Sequence, residues 1–148
     1  MKIINEMKIQ FMSKSVNESF ARTAVSAFVT QLDPTINEIA DIRTAVSEAV
    51  TNCVVHAYRG TIGTIDICVR ILEDNEVYIK IRDRGCGIPD IKQAMEPLFT
   101  TAADEERAGL GFAVMESFMD KLSVRSRLNS GTTIIMRKKL TSCGEKNE

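Results

Sequence analysis

Four short segments of this chain carry residue types that could bind and move a charged group. In Glu48-Ala49-Val50-Thr51-Asn52 an acid and an amide stand four residues apart, so on a helix they share one face, and His56 continues that face. A carboxylate base beside a metal-binding amide would have this pattern; so would a solvated polar helix face. In Asp83-Arg84-Gly85-Cys86-Gly87-Ile88 a strand delivers Asp83 to a loop whose two glycines let backbone pass close to a ligand. The carboxylate there can accept hydrogen bonds from an amino group, although an ordinary glycine turn reads the same way. Ala108-Gly109-Leu110-Gly111-Phe112 stands at the start of a helical pattern, where free backbone N–H groups and the positive helix end favour phosphate. The plain alternative is a common helix-start turn. Ser130-Gly131-Thr132-Thr133 is either a hairpin turn or a means of setting the Thr132 hydroxyl beside a ligand.

Other chemistries lack their residues. There is no Gly-x-x-x-x-Gly-Lys-Ser/Thr loop, no Gly-x-Gly-x-x-Gly after a strand and no His-Arg-Asp loop. His56 is the single histidine, so a multi-histidine metal site is excluded, and a structural role near a helix end is its default reading. The cysteines Cys53, Cys68, Cys86 and Cys143 form no Cys-x-x-Cys pair. They read as reduced thiols of a cytosolic protein rather than as a zinc site.

The elements that must hold these segments follow from periodicity. Met7, Ile9 and Phe11 alternate with polar residues and predict an edge strand. Asn17-Glu18-Ser19 opens a helix in which Phe20, Ala24, Ala27 and Phe28 recur at helical spacing to about Gln31. Asp33 as cap and Pro34 as first helical residue predict a second start. Ile36 through Cys53 supply enough apolar positions to carry a core helix to about His56. Residues 65–71 and 77–81 alternate on either side of Glu73-Asp74-Asn75, which predicts a β-hairpin. A short helix at 90–95, a polar loop at 98–108, a helix at 109–119 and a last hairpin around Asn129-Ser130-Gly131 complete the order. Hairpins dominate, so the expected fold is α+β: a two-layer sandwich with a mixed, mostly antiparallel sheet and helices on one face.

A length of 148 residues suits one domain, and the tail from about residue 140 is expected to be disordered. With 44% hydrophobic and 26% charged residues the chain can build a core. A net charge of −1 gives no global pull toward nucleic acid or membrane. No apolar run approaches the ~20 residues of a membrane helix, and residues 1–10 do not read as a signal peptide. A cytoplasmic protein is expected.

Taken in order, the four segments resemble the ATP-binding module shared by gyrase, the Hsp90 chaperones, histidine kinases and the MutL proteins, the Bergerat-type fold. Residues 48–52 match its N box, 83–87 its first glycine box, 109–111 its second and Gly131-Thr132 its third. More narrowly, several stretches are similar to the sporulation anti-sigma F factor family: Asn17-Glu18-Ser19-Phe20-Ala21-Arg22, Gln31-Leu32-Asp33-Pro34-Thr35, Ser47 to Asn52, Pro97-Leu98-Phe99-Thr100-Thr101, Gly109-Leu110-Gly111-Phe112 and Met115-Glu116-Ser117-Phe118-Met119-Asp120. The resemblance runs from about residue 7 to 139.

It implies an ATP-dependent serine protein kinase that inhibits a sporulation sigma factor F and phosphorylates an anti-anti-sigma protein. Under it, Glu48 is the general base for a partner serine and Asn52 ligates Mg²⁺ at the ATP phosphates. Asp83 takes the adenine amino group with help from Thr132, and Gly85 and Gly87 give the base its room, with Ile88 and His56 also on the nucleotide side. Residues 100–111 form a lid in which Thr100, Thr101, Gly109, Leu110 and Gly111 face ATP or ADP and Arg107 meets the γ-phosphate, with Phe112 next to it also on the nucleotide side. Glu18 and Arg22 face a protein partner, and a homodimer is implied. The alternatives are a non-catalytic, ATP-gated sigma-binding module and a stress-response anti-sigma kinase. A detached histidine-kinase domain would need an acceptor-histidine helix pair, and a gyrase- or MutL-type clamp would need further domains.

Overall fold

The alternating N-terminal residues do form a strand. In the computed structural model, which describes residues 2–89, 91 and 111–141, it is β1 (Ile3–Met12). Helix α1 (Val16–Val29) follows and ends through a 3-10 turn at Thr30–Leu32. Helix α2 (Ile36–Asn52) continues as a π-helical segment, Cys53–Ala57. Strands β2 (Thr64–Leu72) and β3 (Glu76–Asp83) make the expected hairpin. Helix α3 (Gly111–Phe118) then leads into a second hairpin, β4 (Lys121–Arg127) and β5 (Gly131–Lys139).

The sheet order is β1-β2-β3-β5-β4, with β1 at an edge as its alternation predicts. The described sheet is wholly antiparallel rather than mixed. The reason lies in the crossover through α3: β4 runs parallel to β3 but does not touch it, because β5 returns between them. The inner face of β2, β3 and β5 is a field of Ile65, Ile67, Val69, Ile79, Ile81, Ile134 and Met136, all almost fully buried under the helices. Each such side chain contributes about 1.5–3 kcal/mol by leaving water. Ala21, Val25, Val46, Val50 and Met115 cover them from the helix side, so the three α-helices among the described residues lie on one face.

The start of α2 differs from the expected cap at Asp33. Thr35 is the N-cap: Glu38 N–H donates to its hydroxyl at 3.1 Å, and Thr35 N–H donates to the Glu38 carboxylate at 2.8 Å. This reciprocal box satisfies two free donors where an Asp33 cap would satisfy one. Asp33 instead takes φ 51° and ends the 3-10 turn. The far end differs too: the helix reaches His56 only by widening into the π segment. Two residues at the start of the expected tail, Leu140 and Thr141, are among those the structure describes. Leu140 is buried with its N–H on Asn75 O at 2.9 Å, and Thr141 N–H donates to Glu38 at 2.8 Å. The short helix at 90–95 and the polar loop at 98–108 lie almost entirely outside the described residues.

Candidate functional site

Glu48 sits on the buried side of α2 among Ala45, Val46, Ala49 and Val50, and only 4% of it is exposed. One turn on, the Asn52 side-chain nitrogen is buried and has no hydrogen-bond partner among the described residues. An unsatisfied buried donor costs about 1–3 kcal/mol, so its retention points to a ligand. Gly111, the first residue of α3, closes on the same spot. A Cβ there would stand 3.2 Å from both terminal atoms of the Asn52 amide and 3.5 Å from Glu48 Oε2. Packing of α2 against α3 thus brings the start of one helix beside the acid and amide of another, at the end where helix N–H groups are free to meet an anion.

Asp83, at the end of β3, is also only 4% exposed. Its Oδ1 accepts from Gly85 N–H at 2.9 Å and from Thr132 N–H at 3.2 Å. Burial pushes the Asp83 carboxyl above its ordinary range, opposed by those two N–H donors and by the Cys53 thiol. Burial likewise pushes the Cys53 thiol well up, and the neighbouring Asp83 charge adds to it, so this cysteine stays protonated. Tyr58 steadies the next residue: its hydroxyl donates to Thr64 O at 2.6 Å and accepts from Arg84 N–H at 2.6 Å. Burial raises the Tyr58 phenol as well.

The glycines of the loop are required first by backbone. A Cβ on Gly85 would come within 2.3 Å of Ala57 O, the carbonyl that the π segment offers to Cys86 N–H at 3.0 Å. Gly87 has φ +79° and would strike Arg127 O at 2.3 Å. Gly131, with φ +113°, would strike Asp83 O at 2.1 Å. The room expected for a base at Gly85 and Gly87 is therefore, in the first instance, room for the π segment and the β4–β5 hairpin. That hairpin end is tied down further by Asn129 N–H on Cys86 O at 2.8 Å.

Thr132 lies opposite both Asp83 and Ser126 in the sheet. The Ser126 hydroxyl is 2.8 Å from Thr132 Oγ1, 3.2 Å from Gly131 O, and accepts Ile88 N–H at 2.6 Å. Ser126 is a site residue that sequence reasoning missed, as are Tyr58 and Cys53. A hairpin turning at Asn129-Ser130-Gly131 already sets Ser126 opposite Thr132, so the register held the signal; nothing in the sequence marked Tyr58 or Cys53.

The structure thus brings together Glu48, Asn52 and Gly111 at one end, and Asp83, Gly85, Gly87, Ile88 and Thr132 at the other. Phe112 buries its ring in the core, so only its backbone is available to a ligand. His56 lies half-buried in the π segment, and its carbonyl accepts the Cys86 thiol at 3.3 Å. Glu18 and Arg22 pair on α1 at 3.0 Å. Thr100, Thr101, Arg107, Gly109 and Leu110 lie outside the described residues. No group of three or more His, Cys, Asp or Glu side chains fit to hold a metal occurs among the described residues. A cation at Asn52 would thus take most of its oxygens from a ligand's phosphates and water, as Mg²⁺ commonly does. The unpaired nitrogen suits a phosphate oxygen as acceptor, the amide oxygen of the same side chain suits the cation, and the Gly111 cradle fits that arrangement.

This combination of α+β sheet, N-box helix and glycine-bearing turns defines a nucleotide-binding ATPase domain, and the chain belongs to the histidine kinase-like ATPase domain family, which matches residues 13–138. The fold is shared with the RsbU and RsbW domains of Rv1364c from Mycobacterium tuberculosis (TM-score 0.67, 19% identity, 92% of this chain and 32% of that one). It is shared too with the mycobacterial sensor histidine kinase MprB (TM-score 0.55, 14% identity, 93% and 99%). Within the family the chain falls among the anti-sigma F factors. It is 60% identical over 134 residues to that of Caldanaerobacter subterraneus subsp. tengcongensis, covering 90% of this chain and 93% of the relative. It is 52% identical over 135 residues to that of Clostridium acetobutylicum, covering 91% and 94%. No helix among the described residues is long and apolar enough to cross a membrane.

Proposed function

We propose that this chain binds ATP or ADP with Mg²⁺, transfers the γ-phosphoryl group to a serine of an anti-anti-sigma protein, and holds sigma factor F until that exchange releases it. The observation that carries the reading is the Glu48–Asn52–Gly111 cluster, with a buried acid, an amide nitrogen lacking a partner among the described residues and a helix start where even a Cβ would crowd that amide.

Phosphoryl transfer needs positioning and charge neutralisation more than covalent chemistry. At one end Asp83 accepts the adenine amino group, its free acceptor capacity oriented by Gly85 and Thr132. At the other, the Asn52 amide oxygen would hold the cation and the first N–H groups of α3 would meet the phosphates. Mg²⁺, when bound, would neutralise charge on the β- and γ-phosphates. Glu48 takes the proton of the partner's serine hydroxyl as its oxygen bonds to the γ-phosphorus; the bond from that phosphorus to the bridging oxygen breaks and ADP departs. Arg107, Thr100, Thr101, Gly109 and Leu110 are assigned to the phosphate lid on the family resemblance.

The partner face is assigned to α1. Glu18 and Arg22 lie on the same helix as Val16 and Phe20, which are 73% and 51% exposed, and Phe20 packs edge-on against Phe11 of β1 at 6.0 Å. An exposed aromatic beside an ordered arginine is the composition of an interface centre. The open β1 edge and its exposed Ile4 suit pairing with a second copy in a cytoplasmic homodimer.

The test is incubation with γ-labelled ATP, Mg²⁺ and the cognate anti-anti-sigma protein, alongside Glu48→Ala. Label on a partner serine with the wild type alone supports the kinase and its base together. No label, with ATP binding and sigma-factor capture intact, overturns the kinase in favour of a non-catalytic, ATP-gated binding module.

A further inference from the structure

The outer face of the sheet is divided by charge. On its β1–β2 half every acid has a basic or amide partner: Arg70 donates to Glu6 at 2.6 Å with Lys8 3.8 Å from that carboxylate, and Asp66 accepts Gln10 at 2.7 Å and meets Arg84 at 3.6 Å. The β3–β5–β4 half is different. The register sets Arg82, Thr133 and Arg125 on one rung, with Lys80 two residues back along β3 and Arg127 two residues on along β4. Arg82, Arg125 and Arg127 are exposed and Lys80 is half-buried. Among the described residues, none of the four has a carboxylate within ion-pair distance. With Ser130 and Thr133 they line an open depression of about 510 Å³. The acid at its end, Asp83, is buried and already accepts from Gly85 and Thr132.

Charged edge strands guard against sheet-to-sheet pairing, which accounts for Arg125 and Arg127 on β4. It does not account for Lys80 and Arg82, which stand on an internal strand. Gathered cations repel one another, and the acid opposite Arg82 in the sheet, Asp66, is already engaged by Gln10 and Arg84, so the cluster calls for an anion. Same-face residues on one strand are ~7 Å apart and the first and third of three strands ~10 Å apart. Alternate side chains of an extended peptide share the ~7 Å spacing, and Arg accepts a carboxylate bidentately. A polyanion such as nucleic acid or an anionic bilayer would instead rely on a long-range field. This chain has a net charge of −1, and the other half of the same face carries Glu6 and Asp66.

We propose that this depression docks an extended acidic segment of a partner protein, with carboxylates at alternate positions. It involves neither Glu48 nor Asn52, and does not depend on the nucleotide reading. The test is fluorescence anisotropy of a labelled alternating Glu-Ser peptide titrated with the full chain at low and physiological salt. Saturable binding that weakens with salt is expected. Arg82→Glu/Arg125→Glu should reduce affinity about tenfold or more, while Lys8→Glu/Lys14→Glu leaves it within about twofold. Arg82→Ala/Arg125→Ala, with an unchanged melting temperature, should show an intermediate loss and guards against misfolding of the reversed pair. No binding, or equal loss in both reversal variants, overturns the proposal. So does tighter binding of a duplex oligonucleotide or phosphatidylserine vesicles through the same arginines, which would make the site a polyanion site. A change of oligomeric mass in Arg82→Glu/Arg125→Glu would assign the face to a second copy of the chain instead.

Discussion

At Asp83 the fold commits two backbone N–H groups, a thiol and a neighbouring strand to one carboxylate; at Asn52 it leaves an amide nitrogen buried with no partner among the described residues. The first end is held by the protein's own hydrogen bonds whether or not a ligand is present, and is therefore preorganised to discriminate. The second end is incomplete by itself: the Asn52 amide nitrogen, unpartnered among the described residues, gains a partner only from what binds. A site built this way reads the base with the sheet and handles the phosphates with the helices, so damage to the two ends should separate cleanly.

The largest separation is expected for Glu48→Ala. Loss of a general base should slow phosphotransfer about 10²- to 10⁴-fold with nucleotide affinity almost unchanged, as initial-rate assays beside equilibrium titration would show. Asp83→Asn should do the reverse of sparing affinity. Asn keeps an oxygen for Gly85 and Thr132 but sets a donor against the adenine amino group, for a loss of about 10- to 100-fold in ATP affinity. Because burial raises the Asp83 pKa, the folded state holds that proton more tightly than the unfolded chain. This group therefore lowers stability as pH rises from the ordinary carboxylate range through its raised value, whereas ATP affinity falls as pH drops through it. Asp83→Asn should remove both dependences and melt at or above the wild-type temperature near neutral pH.

Smaller effects sharpen the boundary between the ends. Gly131→Ala forces a side chain into φ +113° and onto Asp83 O, and should cost about 2 kcal/mol in denaturant unfolding, with the base end lost along with it. Ser126→Ala leaves Ile88 N–H and the Thr132 hydroxyl without their shared partner. It should weaken ATP binding by about 1 kcal/mol in titration while leaving the pH profile of the Asp83 end in place.

Strand and helix periods made the layers legible, and box order made Glu48, Asn52, Asp83 and Thr132 legible as candidates. What stayed hidden was decided by tertiary contact. The π segment ends at Ala57, whose carbonyl accepts Cys86 N–H, a partner 29 positions on that no local pattern reveals. Thr35 takes the cap from Asp33 because Glu38 can answer it, a box that was present in the sequence but outweighed by the Asp-Pro pair. Tyr58 and Cys53 read as ordinary core residues until Arg84 and Asp83 are set beside them.

The most direct test is equilibrium titration of Mg-ATP into wild type, Glu48→Ala, Asn52→Ala and Asp83→Asn under one set of conditions, with and without Mg²⁺. The account predicts wild-type affinity for Glu48→Ala, a loss confined to the Mg²⁺-dependent part for Asn52→Ala, and a loss with or without Mg²⁺ for Asp83→Asn. Equal losses for Glu48→Ala and Asp83→Asn would contradict the division of the site into a base end and a transfer end.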